Sequence, residues 1–316
     1  MGIFDGLSKA MSDMGVTKKS APKNKTNKSV LEHKLTTAQK TNVLSLTEHE
    51  LEEIPCRVYQ IVNLRTLDLS KNKIRSLGKL SVLKELKSLN CDDNLLTNAS
   101  ELSHLGQISN LTNLQTLSLG RNKIKYPTRA ISDDGKFAFT LPPKLKQLRL
   151  NGNEFASIPK QILAPINTTT TTTTLEKLDM SYNNLAYIPI EIGNLTSLTE
   201  LLLDNNVITS LPNEMGKLTK LKTLSMRNNY IQLPSTTTTK SGTTNYFSSN
   251  NPQPIPSSIF INTLLIDLNL HGNKLTSTQL NEFDGFDTFL ERRRVVKTKG
   301  LIGGAMDGDS TLCGLK

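Results

Sequence analysis

The chain has 316 residues, a formal net charge of +10 and a hydrophobic share of 36%. That length suffices for one elongated domain with flexible ends, and no stretch is apolar for long enough to span a bilayer. The start, MGIFDGLSKAMSDMG, is interrupted by Asp5, Lys9 and Asp13 and so does not read as a secretion signal. Cys56, Cys91 and Cys313 form no clustered framework of the kind that staples secreted domains, so a cytoplasmic location is expected.

Residues 1–36 read as a flexible basic segment carrying Lys18, Lys19, Lys23, Lys25 and Lys28. Gly2 stands where N-myristoylation requires glycine, but Gly6 occupies the place of the usual Ser/Thr. Ile3, Phe4, Leu7, Met11 and Met14 fall near one helical face, which suits a membrane-surface or partner-docking helix. An acyl chain with a polybasic segment is the pair of signals that holds a protein at an anionic membrane, so Gly2 is a candidate lipidation site.

From residue 37 to 281 one frame recurs, Leu-x-x-Leu-x-Leu-x-x-Asn-x-Leu. Its cleanest copies are Leu64–Ile74, Leu198–Ile208 and Leu221–Ile231, and its asparagines are Asn72, Asn94, Asn122, Asn153, Asn183, Asn206, Asn229 and Asn273. A degraded front copy keeps Leu44, Leu46, Leu51 and Ile54-Pro55 but has His49 in the asparagine's place, as expected of a capping repeat. The alternation Leu-x-Leu has period two and reads as a short strand with its leucines inward. Stacked units then make a curved parallel sheet with short helical or irregular segments on the convex side, an α/β solenoid of about nine repeats. At about 4.8 Å per strand the sheet is about 38–40 Å across. The asparagines fall where the chain leaves the strand, and a carboxamide offers donors and an acceptor to the backbone groups stranded there.

This frame resembles the leucine-rich repeat. Ile188-Pro-Ile-Glu-Ile-Gly-Asn-Leu and Leu211-Pro-Asn-Glu-Met-Gly-Lys-Leu look like the Leu-Pro-x-x-Ile-Gly-x-Leu class of intracellular repeats found in Ras-pathway scaffolds. Thr37-Ala-Gln-Lys-Thr41 before the repeats, and Glu282–Arg292 with Lys297-Thr-Lys299 after them, resemble the flanks of the leucine-rich repeat-containing protein 57 family, small intracellular proteins that also begin Met-Gly. The resemblance implies a non-enzymatic adaptor or scaffold, possible at a membrane, whose partner is a protein such as a small GTPase, a kinase or a phosphatase.

The asparagines lie 22 residues apart from Asn72 to Asn94 and 23 apart from Asn183 to Asn206 and from Asn206 to Asn229, but farther apart across the other intervals. The surplus must loop out ahead of the next strand, at Gly106–Ser109, at Thr128–Phe139, and in threonine-rich tracts near 164–174 and 235–253. Behind the repeats, Phe283, Phe286, Phe289 and Leu290 have the spacing of a helix that covers the open end, giving a helical cap over 282–299 and a flexible tail over 300–316. Arg292, Arg293, Arg294, Lys297 and Lys299 make this end basic. Without interleaved aromatics and with no tryptophan in the chain, neither basic cluster reads as a nucleic-acid site.

No chemistry is written into the repeats. His33, His49, His104 and His271 are scattered outside metal-binding or nucleophile-activating spacings, and Asp92-Asp93 is the nearest thing to an acid pair. No cofactor, metal or small-molecule substrate is expected. What binding information there is lies on the concave face, where the position between the inward residues is mostly small or polar and Leu202 is the exception. Leu202 is expected to face water with Tyr182, Arg149 and Arg227 on nearby strands and Asp179 and Asp204 beside it, the composition of a protein-interface hot spot.

Overall fold

A computed structural model of the chain describes residues 23–97, 110–126, 141–163, 174–233, 253–301 and 313–315. Nine three-residue strands make one parallel sheet: β1 (Val43–Ser45), β2 (Thr66–Asp68), β3 (Ser88–Asn90), β4 (Thr116–Ser118), β6 (Gln147–Arg149), β8 (Lys177–Asp179), β9 (Glu200–Leu202), β10 (Thr223–Ser225) and β11 (Asp267–Asn269). They pair in chain order with the central leucines in register, Leu148 with Leu178 and Leu178 with Leu201. Every central leucine is buried, as Leu-x-Leu alternation demands of a sheet with one wet face. A small second sheet pairs β5 (Lys125–Tyr126) with β7 (Glu154–Phe155).

Five of the convex segments begin after a proline. Pro55, Pro189 and Pro212 precede 3-10 turns at Cys56–Gln60, Ile190–Asn194 and Asn213–Lys217, and Pro256 precedes α3 (Ser257–Asn262); φ at the four prolines runs from −57° to −75°. The ring fixes φ in the range these turns need, and the missing N–H is no loss at a helix start. A second short helix, α2 (Lys160–Leu163), follows Pro159. The glycine of the Leu-Pro-x-x-Ile-Gly-x-Leu segments is where the next unit leans in. A Cβ on Gly216 would stand 2.5 Å from Ser258 Cβ and 3.2 Å from its carbonyl, so any side chain there would push the turns apart.

The asparagines stitch each unit to the one before it. Asn206 is typical: Nδ2 donates to the Leu203 carbonyl of its own unit at 3.0 Å and to the Met180 carbonyl of the preceding unit at 3.1 Å. Its Oδ1 accepts the N–H of Leu185, again in the preceding unit, at 3.0 Å. The same pair of links to the preceding unit recurs at Asn72, Asn94, Asn122, Asn153, Asn183, Asn229 and Asn273. The residue before each asparagine is left-handed, among them Lys71, Asp93, Arg121, Tyr182, Asn205 and Asn228 at φ 49° to 56°.

Both ends of the sheet are covered, and the sequence reading needs correction at each. Helix α1 (Lys23–Thr41) occupies much of the segment expected to be flexible up to residue 36. Its apolar content is small, but Leu31, Leu35 and Ala38 fall at helical spacing and pack on the first unit; Leu35 and Ala38 are buried. Asn42 (φ 60°) ends the helix, its N–H returning to the Ala38 carbonyl at 2.8 Å. At the far end α3, α4 (Ser277–Asn281) and α5 (Phe286–Leu301) close over the last strand, with Phe260, Phe286 and Phe289 fully buried. Thr276 and Gln279 form a reciprocal capping box that starts α4. Arg292, counted above with the basic end, instead donates to the carbonyls of Leu265 and Phe260 at 2.9 and 3.0 Å. Residues 313–315, expected to be free tail, lie against β11 with Cys313 and Leu315 buried. Gly2 and, except for Thr174 and Gln253 at their ends, the four insertions fall outside the described residues.

Candidate functional site

The concave face is built from the strand residues on either side of each central leucine, because period-two alternation sends both outward. The third strand residue and the one two places on would carry the partner contacts expected from the sequence, but much of that polar surface serves the scaffold. Where the third residue is Asp or Asn, its side chain accepts the N–H two residues along. Asp68 takes Ser70 at 2.9 Å, Asn90 takes Asp92 at 3.0 Å, Asp179 takes Ser181 at 3.0 Å and Asn269 takes His271 at 3.1 Å.

That residue is a serine at three strands, and at two of them, beyond Ser45 of the first unit, the acceptor comes from the preceding unit. Asp92 accepts from Ser118 Oγ at 2.6 Å and Gly120 N–H at 2.7 Å; Asp204 accepts from Ser225 Oγ at 2.6 Å and Arg227 N–H at 2.8 Å. A donor pointing off the sheet edge is thus answered in all six units, by whichever neighbour carries the oxygen. Asp204 is thereby a brace between units, and the Asp92-Asp93 pair is divided in the same way. Asp92 holds β4, while Asp93 receives the Arg121 guanidinium as a two-bonded fork, Nε and Nη2 both at 2.7 Å. That pair draws the Asp93 carboxyl below the usual aspartate range.

Asp93→Asn is therefore expected to cost about 0.5–1 kcal/mol near neutral pH in low salt, the figure for an exposed but well-aligned pair. Because the folded-state pKa lies below the unfolded one, the contribution is complete above the unfolded pKa and fades as pH falls through the folded one. Urea midpoints of wild type and variant should differ at pH 7 and converge below the ordinary aspartate range; a gap that persists in acid would contradict the assignment.

Charged and apolar side chains collect at β6, β8 and β9. Arg149, Asp179 and Leu202 lie in register on adjacent strands. With Gln147, Lys177 and Glu200 at the first strand position they line a hollow of about 170 Å³, to which Asp92, Arg121 and Asn151 also contribute. Lys177 and Glu200 form an ion pair at 2.6 Å along one rim. Arg149 is exposed, and the Gln147 carboxamide with its oxygen turned inward accepts from Arg149 Nη2 at 3.1 Å. Leu202 is half-buried within this hollow rather than standing out in water as the sequence suggested.

Of the six residues expected to cluster, the structure brings together Arg149, Asp179 and Leu202. Tyr182 is exposed at 63%, but it occupies the left-handed turn before Asn183 rather than a strand, at the sheet's flank. Arg227 is exposed one strand beyond, outside the hollow. Gln147, Lys177 and Glu200 precede the central leucine, outside the two columns, after that leucine and two places on, that the sequence marks as outward. The same alternation places the residue before it on the same face.

Two family models match the chain, "Leucine Rich repeats (2 copies)" over residues 62–104 and "Leucine Rich Repeat" over residues 174–195. Together with the register of nine parallel strands and the asparagine links, they decide the architecture. The fold is a leucine-rich repeat solenoid.

Relatives of the solenoid include the human volume-regulated anion channel subunit LRRC8A, 31% identical over 126 residues. From Dictyostelium discoideum come a probable serine/threonine-protein kinase, pats1, 29% identical over 179 residues, and a probable inactive one, roco10, 32% identical over 170. The matches take in 39%, 49% and 51% of this chain but only 15%, 5% and 5% of those much longer proteins. Among solved structures, the Leptospira interrogans protein LIC12759 is 30% identical with a TM-score of 0.49, covering 61% of this chain and 46% of its own. Internalin C2 of Listeria monocytogenes is 22% identical with a TM-score of 0.47, covering 69% and 88%. Among the described residues, no helix is long and apolar enough to cross a membrane, and no group of three or more His, Cys, Asp or Glu is placed to hold a metal. His49 and His271 each turn Nδ1 to a backbone carbonyl, those of Thr47 and Gly314. Burial pushes the Cys91 thiol up, so that it remains a protonated core residue.

Proposed function

We propose that the solenoid is a non-catalytic adaptor that holds a protein partner across the middle of its concave sheet, with Leu202 as the apolar anchor and Arg149 and Asp179 as the polar contacts. The observation that carries this reading is the division of labour along the face. Asp204 is taken up by bonds to the next unit, whereas Arg149, Leu202 and Asp179, which spends one oxygen on the Ser181 N–H, converge on one hollow with an ion pair at its rim. An apolar centre within a polar, charged ring is what interfaces use to exclude water around a few strong contacts. The partner class that the repeat resemblance favours is an intracellular signalling protein, a small GTPase, kinase or phosphatase, met in the cytoplasm.

The test is quantitative capture on immobilised full-length chain, with Leu202→Glu and Arg149→Glu beside wild type. Each variant is expected to lose at least about tenfold in affinity for the same partner, about 1.4 kcal/mol. Leu202→Glu removes no hydrogen bond, and Arg149→Glu loses only the surface bond to Gln147, so melting should stay close to that of wild type. Full retention of every partner by both variants would refute the concave site. The alternative reading, in which Gly2 and the basic ends address the protein to an anionic membrane, draws on Arg293 and Arg294 but no longer on Arg292, whose charge is turned onto backbone carbonyls.

A further inference from the structure

A parallel sheet grown unit by unit leaves an unpaired edge at its last strand, and an exposed edge is a template for another extended segment. Along this solenoid the inward residue after each strand passes its backbone N–H to the next unit. Leu46 donates to the Asp68 carbonyl at 2.8 Å, Leu203 to Ser225 at 2.8 Å and Met226 to Asn269 at 2.8 Å. At the last unit the donor is Leu270, no repeat follows, and the Cys313 carbonyl accepts the bond at 2.8 Å.

Residues 313–315 thus stand in for a tenth strand, and they do so in a site with shape. Cys313 and Leu315 are 2% and 5% exposed, both within the main hydrophobic core. Between them Gly314 (φ +73°) passes so close to the last unit that a Cβ would lie 2.9 Å from Asn269 Oδ1 and 2.9 Å from His271 Cβ. A side chain there would have to enter those atoms in a backbone conformation that disfavours it. The Gly314 carbonyl also meets His271 Nδ1 at 3.1 Å.

We infer that the outer edge of β11 is a peptide-binding site, selective for a small residue, glycine and leucine in succession, which the chain's own Cys313-Gly314-Leu315 fills. Backbone pairing supplies the attachment and the two buried side chains supply the selection, as in strand addition to a sheet edge. Three ordered residues are a small contact, so a partner segment of the same pattern held at higher local concentration displaces them. This site is at the opposite end of the sheet from β1 and two strands beyond β9, the last strand of the concave hollow, so it can be occupied whether or not the hollow is.

The full-length chain tests this directly, with Gly314→Val and Leu315→Asp as two independent ways to empty the site. The probe is a labelled synthetic peptide, Asp-Ser-Thr-Leu-Cys-Gly-Leu-Lys, with a second peptide in which glycine is replaced by valine. Both variants are expected to bind the first peptide at least tenfold more tightly than the second, and wild type to bind neither until the peptide is in large excess. Burial pushes the Cys313 thiol up to about 12, so site-resolved thiol labelling gives a second readout. Cys313 should label far more slowly than the exposed Cys56 in wild type and at least tenfold faster in either variant. Wild-type Cys313 labelling as fast as Cys56, or variants that stay folded and ignore the peptide, would overturn the proposal. So would a wild-type dimer dissociated by the peptide, since the edge would then be filled by a second copy.

Discussion

Phe286→Ala is expected to lower the unfolding free energy by about 3–5 kcal/mol, the cost of emptying a large aromatic site that cannot collapse. Phe286 lies edge-on to Phe260, with ring centroids 5.3 Å apart and planes at 80°, and stacked with Phe289 at 5.3 Å and 29°. Phe260 belongs to α3 and the other two to α5, so the trio joins the cap to the last unit. In a solenoid each unit is held by its neighbours alone, and a terminal unit without its cap exposes a whole core face. Urea unfolding followed by circular dichroism should show the midpoint falling and, if the end unit melts first, the transition broadening. A loss under about 1 kcal/mol would mean that α5 is not what closes the stack.

Asn206→Leu should cost about 1–3 kcal/mol although leucine is nearly the same size. The carboxamide is 4% exposed and makes four bonds, donating to the carbonyls of Leu203, Asp204 and Met180 and accepting from Leu185 N–H. Leucine answers none of them, and the orphaned groups sit between β8 and β9 where water cannot follow. Asn184→Leu, at the exposed position directly after Asn183 in the preceding unit, is the control and should stay within about 0.5 kcal/mol of wild type. Equal melting temperatures for Asn206→Leu and wild type would remove the asparagines from the account of stability.

The repeat was legible because it is enforced by two physical rules at once, alternation of inward leucines and satisfaction of stranded backbone groups, and both act at fixed spacing. Nothing of that kind marks the ends. Helix α1 carries a stripe only three residues wide, Leu31, Leu35 and Ala38, amid lysine and threonine, and its partner surface exists only once the first unit has folded. Residues 313–315 show no period at all, and their meaning lies in the Leu270 N–H that the Cys313 carbonyl accepts. The charges of the concave face were harder still. Asp179, the third residue of β8, accepts the Ser181 N–H of its own unit and lines the hollow, whereas Asp204, two places beyond the third residue of β9, reaches forward to Ser225 and Arg227 of the next unit, a distinction of column and neighbour that residue type alone does not carry. Arg292 likewise reads as surface charge until the carbonyls of Leu265 and Phe260 are seen in front of it.

The central claim, that partners are held at the middle of the concave sheet, is tested most directly by footprinting a bound complex. Acetylation of lysines and carbodiimide labelling of carboxylates, read residue by residue with and without partner, should show protection of Lys177, Asp179 and Glu200. Lys217 on the convex turn and Lys40 on α1 should label as before. Protection at the convex turn or at the basic helix, with Lys177 and Asp179 still reactive, would contradict it.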